Sequence, residues 1–238
     1  MSDARVLLVG AGGLGCPAAL VLVRSGVRRL TLIDDDVVDV SNLHRQLLYD
    51  DDDVGHDKVE RAAARLRAEG AEVDVIRGRL RPDGAVELAS RFDLVLEGAD
   101  NFATKFLASD ACRLAGTPLV QAGAVRWTGW ALATLPGQSA CMRCVFEDIP
   151  RDRVETCAIA GVVGPVVGVL GALQGALAVR LLGGDERAAG ELWSYRALAA
   201  KPLRASRVRP RTGCPSCAGA LPPVLTMERY APPSCTNP

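Results

Sequence analysis

The sequence contains few aromatic residues and carries no net charge. Phe, Trp and Tyr make up 4% of the 238 residues, and 28 Lys and Arg residues balance 28 Asp and Glu residues. A nucleic-acid partner requires basic surfaces, and a single strand also requires aromatic platforms for its bases. The composition therefore argues against nucleic acid and against an anionic membrane surface as partners.

The N-terminus lacks the basic region and apolar core of a signal peptide, because the first strand pattern begins within a few residues. We therefore expect a cytoplasmic protein, whose eight cysteines are metal ligands or reactive thiols and not disulfides. One apolar stretch, residues 158–179, is long enough to span a membrane. Glycines, Pro165 and Gln174 interrupt it, which favours a buried helix that begins near Pro165 and no membrane partner.

A short apolar run at residues 6–9 ends in the glycine-rich turn GAGGLG, and a helical pattern follows. This order is typical of nucleotide-binding units: Gly10 permits the turn, Gly12 admits phosphates and Gly15 lets helix and strand pack closely. Asp34 follows the second apolar run at the distance expected for an acid that binds a ribose. The alternative is a glycine turn in an ordinary α/β core, and the motif does not identify the nucleotide.

Strand and helix patterns alternate as far as about residue 123 and antiparallel strand patterns follow. They predict an α/β fold: a Rossmann-like, doubly wound, mostly parallel sheet, extended by an antiparallel lobe that carries a four-cysteine zinc site. We assign residues 1–123 to the nucleotide-binding region and 124–220 to the lobe, within one compact domain. Residues 221–238 are predicted to be a disordered, Pro-rich tail.

Two CxxC pairs lie in the predicted lobe, at Cys141 and Cys144 and at Cys214 and Cys217. Two such turns supply the four thiolates of a closed, structural zinc site, and two independent redox dithiols are the alternative. Cys157 precedes the apolar helix. An exposed thiol near a helix start can act as a nucleophile, and a core cysteine is the other interpretation.

Polar residues follow the strands where an open parallel sheet binds its ligands. Asp100, after the fourth strand, is either a magnesium ligand or the cap of the next helix. Lys58 falls in the first turn of a predicted helix, where a cation opposes the helix dipole. It is therefore either solvated or close to an anionic ligand.

These motifs resemble those of the ThiF/MoeB/HesA family of adenylyltransferases, which are related to ubiquitin-activating enzymes. The resemblance covers residues 5–217 and is most specific in SNLHRQ and in Asp100-Asn101, which NAD dehydrogenases do not share. The other motifs that carry it are GAGGLG, residues 34–36, Lys58, the two CxxC pairs and Cys157 ahead of GVVGPVVG.

The resemblance implies that ATP and Mg²⁺ bind here, with the ribose on Asp34 and Mg²⁺ on Asp100. The C-terminal glycine carboxylate of a small ubiquitin-like (ThiS/MoaD-type) sulfur carrier then attacks the α-phosphate, and the acyl-adenylate is converted to a thiocarboxylate. The implied catalytic residues are Arg45, Lys58, Asp100 and Cys157. The implied nucleotide-binding residues are Gly10, Gly12, Gly13, Gly15, Asp34, Asp36, Ser41, Asn42, Arg45, Gln46, Lys58, Asp100 and Asn101.

The resemblance also implies a carrier ending in Gly-Gly, a homodimer and, because no rhodanese domain follows Cys217, a separate sulfur donor. Family members usually carry an N-terminal helix whose arginine reaches the partner's ATP. Here four residues precede Arg5, so that arginine is missing. Unless the N-terminus has been shortened, we expect another cation to replace the arginine or the activity to be weaker. Lys105 stands where an arginine is expected.

Two alternatives for the function stay open: a non-catalytic scaffold for a ubiquitin-like protein, and an NAD-dependent oxidoreductase.

Overall fold

The computed structural model describes residues 1–150 and 161–230. Cys157 therefore lies outside the described residues, as do residues 231–238 of the predicted tail. The described part of that tail differs from the disorder expected for it. Leu225 and Tyr230 are buried in a cluster that includes Ala85 and Phe106, because this segment supplies apolar side chains that cover two helices.

Eight strands form one sheet: β1 (Arg5–Val9), β2 (Arg29–Asp34), β3 (Glu72–Arg77), β4 (Leu94–Glu97), β5 (Leu119–Val125), β6 (Thr128–Thr134), β7 (Glu191–Arg196) and β8 (Leu203–Arg207). Their order is β3-β2-β1-β4-β5-β6-β7-β8. The first five pair in parallel, and β5 to β8 pair antiparallel. The predicted mostly parallel sheet with an antiparallel extension is confirmed.

Helices cover both faces of the sheet, as a doubly wound fold requires. In the described residues they are α1 (Gly15–Arg24), α2 (Lys58–Ala68), α3 (Pro82–Ser90), α4 (Phe102–Ala115), α5 (Met142–Phe146) and α6 (Gly164–Leu182). Successive side chains of β1 alternate between the two faces. Val6 and Leu8 pack with α1, α2 and α6, whereas Leu7 and Val9 pack with α3 and α4.

The order reverses at β1, whose neighbours are β2 and β4. Open α/β sheets bind ligands beyond the carboxyl ends of their strands at such a reversal. The turn that follows β1 is the GAGGLG segment. The topology therefore places the predicted nucleotide motif at the position where this class of fold forms a binding crevice.

The apolar helix α6 begins at Gly164, as the sequence predicts, and packs across α1 and the sheet. By length and composition alone it is long enough to cross a membrane. Its glycines instead allow close contact with α1. A Cβ atom on Gly171 would collide with the carbonyl oxygen of Leu14, and one on Gly175 would lie 2.8 Å from Cβ of Val21.

We expect Gly171→Ala to lower the free energy of unfolding by about 1–3 kcal/mol, because the added methyl group forces α1 and α6 apart. Gly168 lies in the same helix, and a Cβ atom there meets no atom within 4 Å. Gly168→Ala should therefore raise the free energy of unfolding by about 0.5–1 kcal/mol through its better helix propensity. Urea titration of the two variants measures both values. Equal stabilities would contradict the close contact.

Candidate functional site

One elongated cavity of about 720 Å³ lies beyond the carboxyl ends of the parallel strands. Its first end, which we call the nucleotide end, is bounded by the turns after β1, β2 and β4. Its second end, the acceptor end, is bounded by β5, β6 and β7. The nucleotide end is lined by Gly10, Gly12, Gly13, Asp34, Asp35, Asp36, Asn42, Arg45, Gln46, Lys58, Ala99, Asp100 and Asn101, and the acceptor end by Phe102, Lys105, Gly123, Val125, Trp130, Tyr195 and Arg196.

The glycine turn has the conformation that its sequence requires. Gly10 has a φ of +91°, and a Cβ atom there would lie 3.0 Å from the backbone nitrogen of Ala99. A Cβ atom on Gly15 would collide with the carbonyl oxygen of Gly10. At Gly12 the nearest atom to a Cβ would be Nε2 of Gln46, at 3.7 Å. The protein itself therefore leaves space at Gly12, on the side where a phosphate would approach the backbone.

Asp34 ends β2 and holds the glycine turn. Its Oδ2 accepts a hydrogen bond from the backbone N–H of Ala11 (2.7 Å), and its Oδ1 accepts one from that of Asp36 (2.9 Å). Burial raises the pKa of this carboxyl group, and the two N–H donors oppose that rise. Each oxygen retains a lone pair that can accept a ribose hydroxyl.

Lys58 is buried at the start of α2, with 5% of its surface exposed. Its Nζ lies 2.8 Å from Oδ2 of Asp36. Of the two interpretations of Lys58, the solvated side chain is wrong, because an acidic turn covers the ammonium group. The Asp36 side chain is itself 58% exposed, so water screens the pair and the cation still faces the cavity.

The loop that follows, residues 40–46, contributes Asn42, Arg45 and Gln46 to the cavity wall. The Arg45 guanidinium donates to the Ser41 carbonyl (3.1 Å) and to Oδ1 of Asn42. Gln46 is 3% exposed, and its Oε1 has no hydrogen-bond partner among the described residues. Ser41 is not among the described residues that line the cavity, because its hydroxyl donates to Asp39 at the surface.

Asp100 and Asn101 have different environments after β4. Asn101 caps α4, since its Oδ1 accepts from the backbone N–H of Thr104 (2.8 Å). The interpretation of Asp100 as the helix cap is therefore wrong. Within residues 1–150 and 161–230, no side chain forms a hydrogen bond or ion pair with the Asp100 carboxylate, which is exposed and lines the cavity. An unpaired carboxylate oxygen beside a phosphate site fits a hard cation such as Mg²⁺.

A buried ion pair holds the turn that carries Asp100. Glu97 is fully buried at the end of β4, and its carboxylate accepts from Nζ of Lys105 (3.1 and 3.3 Å) and from Nε2 of Gln121 (3.1 Å). The Lys105 ammonium also donates to the carbonyl of Ala122. Burial raises the pKa of Glu97, whereas Lys105 opposes the rise. The sequence analysis did not identify Glu97 or Gln121 as functional residues. The signal that could have identified Glu97 is its position as an acidic residue at the end of an otherwise apolar strand.

The two CxxC pairs lie close together in the structure, although 69 residues separate them in the sequence. The four ligand atoms lie within 4.8 Å of one another, and the contacts between Sγ atoms range from 3.4 to 3.9 Å. Zn–S bonds of about 2.3 Å in a tetrahedron require edges of about 3.8 Å. Burial raises the pKa of the Cys141 thiol to about 11, and zinc binds cysteine as the thiolate. The set fits a closed zinc site.

The structure thus brings the implied nucleotide-binding residues to one end of one cavity, except Ser41 and Gly15, which are not among its described lining residues. Cys157 lies outside the described residues. The cysteine cluster is a separate centre on α5 and the segment that follows β8. No sequence signal identified Arg143, the buried arginine between two of the cysteines.

The profile of the ThiF family matches residues 1–216. The chain belongs to the ThiF family. The sulfur carrier protein ThiS adenylyltransferase of Escherichia coli K12 is 39% identical over 221 residues, which cover 92% of this chain and 87% of that protein. The adenylyltransferase and sulfurtransferase MOCS3 of Sus scrofa is 41% identical over 234 residues, which cover 97% of this chain and 51% of that protein. The chain thus spans about half the length of this relative.

Solved structures show the same fold at low sequence identity. E. coli MccB, in a crystal structure with ATP, superposes with a TM-score of 0.79 at 22% identity over 91% of this chain and 68% of that one. PaaA superposes with a TM-score of 0.71 at 23% identity, over 87% and 64% of the two chains. These likenesses concern the fold of the ThiF-family domain.

We expect Lys105→Met to lower the free energy of unfolding by about 3–5 kcal/mol, because it leaves the Glu97 carboxylate buried without a counter-charge. Adding Glu97→Gln to that variant removes the charge and should restore most of the loss. Thermal unfolding of the single and double variants measures the difference. A double variant as unstable as the single one would contradict this role of the ion pair.

We expect Cys214→Ser to abolish metal binding and to lower the melting temperature, because three thiolates hold zinc less tightly than four. Cys112→Ser is the matched control, since Cys112 is equally buried but lies in α4, outside the cluster. Elemental analysis should find one zinc per chain in the wild type and in Cys112→Ser. Zinc retained in Cys214→Ser would contradict the four-cysteine site.

Proposed function

We propose that the chain transfers the adenylyl group of ATP to the C-terminal glycine carboxylate of a small ubiquitin-like sulfur carrier. The observation that carries the proposal is the composition of the nucleotide end. There a glycine turn, the cations of Lys58 and Arg45 and the carboxylate of Asp100 line one wall of a single cavity. The relatives in E. coli and Sus scrofa are adenylyltransferases, which supports it.

In the proposed reaction an oxygen of the glycine carboxylate attacks the α-phosphorus of ATP. The bond from that phosphorus to the bridging oxygen of the β-phosphate breaks, and pyrophosphate leaves with both bonding electrons. No proton is transferred, because the nucleophile and the leaving group are both anions. The task of the protein is to align the groups and to offset negative charge. Lys58 and Arg45 lie where they can neutralise the phosphates.

Two metal ions have separate tasks in this proposal. Mg²⁺, held by Asp100 and the phosphates, would offset charge on the leaving pyrophosphate. The three carboxylates that follow β2 are less suited to bind Mg²⁺, because each already has a partner. Backbone N–H groups donate to Asp34, Arg79 pairs with Asp35, and Lys58 pairs with Asp36. Zinc held by the four cysteines would have no open coordination position and would stabilise the fold.

The acceptor end of the cavity would receive the extended Gly-Gly terminus of the carrier. A separate protein would then supply sulfur for the thiocarboxylate, in the cytoplasm. We further propose a homodimer. Pro165, Val169 and Ala176 lie along one exposed, apolar face of α6, and such a face is typical of a surface that a second subunit covers.

The test is ATP–pyrophosphate exchange with Mg²⁺ and a panel of small β-grasp proteins that end in Gly-Gly. Exchange that depends on one carrier would support adenylation and identify the partner. ATP binding and carrier binding without exchange would instead favour a non-catalytic scaffold. Tight NAD binding that does not depend on Mg²⁺ would overturn the proposal in favour of an oxidoreductase.

We expect Lys58→Met to slow carrier-dependent exchange by roughly 10²- to 10³-fold, because it removes a positive charge from the phosphate site. The fold should persist, since methionine fills the same space and the exposed Asp36 can be solvated. Lys201→Ala is the control, because Lys201 is an exposed lysine in the turn between β7 and β8. Unchanged exchange in Lys58→Met would remove this residue from the mechanism.

A further inference from the structure

The aromatic residues of this chain are concentrated beside the acceptor end of the cavity. The sequence contains four Phe and three Trp residues, and Phe102, Trp130, Phe146 and Phe106 form one connected group. The ring centroids of Trp130 and Phe146 are 4.9 Å apart, and those of Phe102 and Phe146 are 5.9 Å apart. Phe102 and Trp130 line the cavity, whereas Phe146 stands behind both.

Phe146 belongs to a helix that the cysteine cluster holds. The helix α5 has five residues, begins directly after Cys141 and includes Cys144. A helix of this length is not stable by itself in water, so its position depends on its anchors. Of the four sulfur ligands, Cys141 directly precedes the helix and Cys144 lies within it, two residues before Phe146.

Arg143 is the second anchor of α5. Its guanidinium is 1% exposed and forms a bidentate ion pair with Asp110 of α4, with Nε–Oδ1 and Nη2–Oδ2 distances of 2.9 and 2.7 Å. It also lies 4.8 Å from the ring centroid of Phe106. Burial of such a pair is tolerated only when its geometry is well satisfied. The fixed guanidinium and the sulfur ligands therefore hold α5 in one orientation, in which the Phe146 ring packs against Trp130.

Trp130 is enclosed on its remaining sides by groups of the cavity wall. Its indole covers Gly123, where a Cβ atom would lie 2.8 Å from the indole Nε1. The Nζ of Lys105 lies 5.7 Å from the ring centroid. Phe146 is thus the contact through which the cysteine cluster reaches the indole. The nucleotide end has no comparable contact with α5 in the described residues.

We infer that Phe146 is a positioning residue: through it the zinc-bound cysteines set the orientation of Trp130 and Phe102, and hence the shape of the acceptor end. The nucleotide end, which is held by α1, α2 and α6, is independent of it. This inference rests on the proposed function only for the identity of the acceptor. The mechanical link between the cluster and the indole can be tested without any carrier.

The experiment uses a protein with Trp127→Phe and Trp193→Phe, in which Trp130 is the only tryptophan. Acrylamide quenching of its fluorescence is measured in the zinc-loaded protein, after zinc removal by a chelator, and in the zinc-loaded Phe146→Ala variant. Phe92→Ala is the matched control, since Phe92 packs in a different cluster, against α3 and β4. Binding of MgATP and zinc content are measured on every sample.

We expect Phe146→Ala to keep one zinc per chain, to bind MgATP within twofold of the parent and to raise the quenching constant of Trp130 at least twofold. Zinc removal should raise the constant similarly in the parent and add nothing in Phe146→Ala. Phe92→Ala should change neither value. An unchanged quenching constant in zinc-loaded Phe146→Ala would overturn the inference, and this comparison holds even if zinc removal unfolds the chain. The absence of zinc from the purified parent would also overturn it.

With a carrier that supports exchange, Phe146→Ala should raise the KM for the carrier about tenfold and leave the KM for ATP unchanged. Phe146→Leu should recover part of the loss, because it restores an apolar contact to the indole. An equal rise in both KM values would overturn the separation of the two ends. If no carrier supports exchange, the proposed function fails, and the fluorescence result still decides the role of Phe146.

Discussion

The close approach of α6 to the rest of the site is the contact on which the nucleotide end depends. Gly164 lies against the carbonyl of His44, where any side chain would collide, and a Cβ atom on Gly13 would lie 3.1 Å from Val167. Further along the helix, Nε2 of Gln174 donates to the carbonyls of Glu97 (2.8 Å) and Val120 (3.0 Å). One helix therefore touches the glycine turn, the 40–46 loop, the end of β4 and the start of β5. Its small residues bring these pieces within reach of one ligand.

The buried cations of the chain differ in the exposure of their partners. Lys105 and Arg143 pair with Glu97 and Asp110, which are fully buried. Removing Lys105 would leave the Glu97 carboxylate in the core without a counter-charge. Removing Arg143 would leave Asp110 with Arg229, 3.8 Å away, and the Tyr230 hydroxyl, so both pairs serve the fold. Lys58 pairs with Asp36, whose carboxylate is largely in water. That carboxylate can be solvated when a ligand takes the ammonium group, which is the property that a phosphate-binding cation needs.

The two ends of the cavity are supported by different parts of the chain. The parallel strands support the nucleotide end, α5 and the cysteine cluster support the acceptor end, and α6 packs behind both, since its Leu170 lies against Gly129 of β6. This division explains why the four-cysteine cluster, which does not line the cavity, lies close to it. The acceptor end gains a fixed wall from the four clustered cysteines and from a buried arginine. The nucleotide end obtains the same rigidity from a large apolar core.

The sequence alone determined the features that depend on residues close together in the chain. The GAGGLG turn between strand and helix, the buried apolar helix α6, the antiparallel extension and the pairing of the two CxxC turns were all predicted, because backbone sterics and periodicity act locally. The sequence did not reveal the partner of Lys58, the cap of α4, or the Glu97–Lys105 and Asp110–Arg143 pairs. Only the tertiary structure decided these, since each depends on which distant groups the sheet order and α6 bring into contact, and on how much water remains around them.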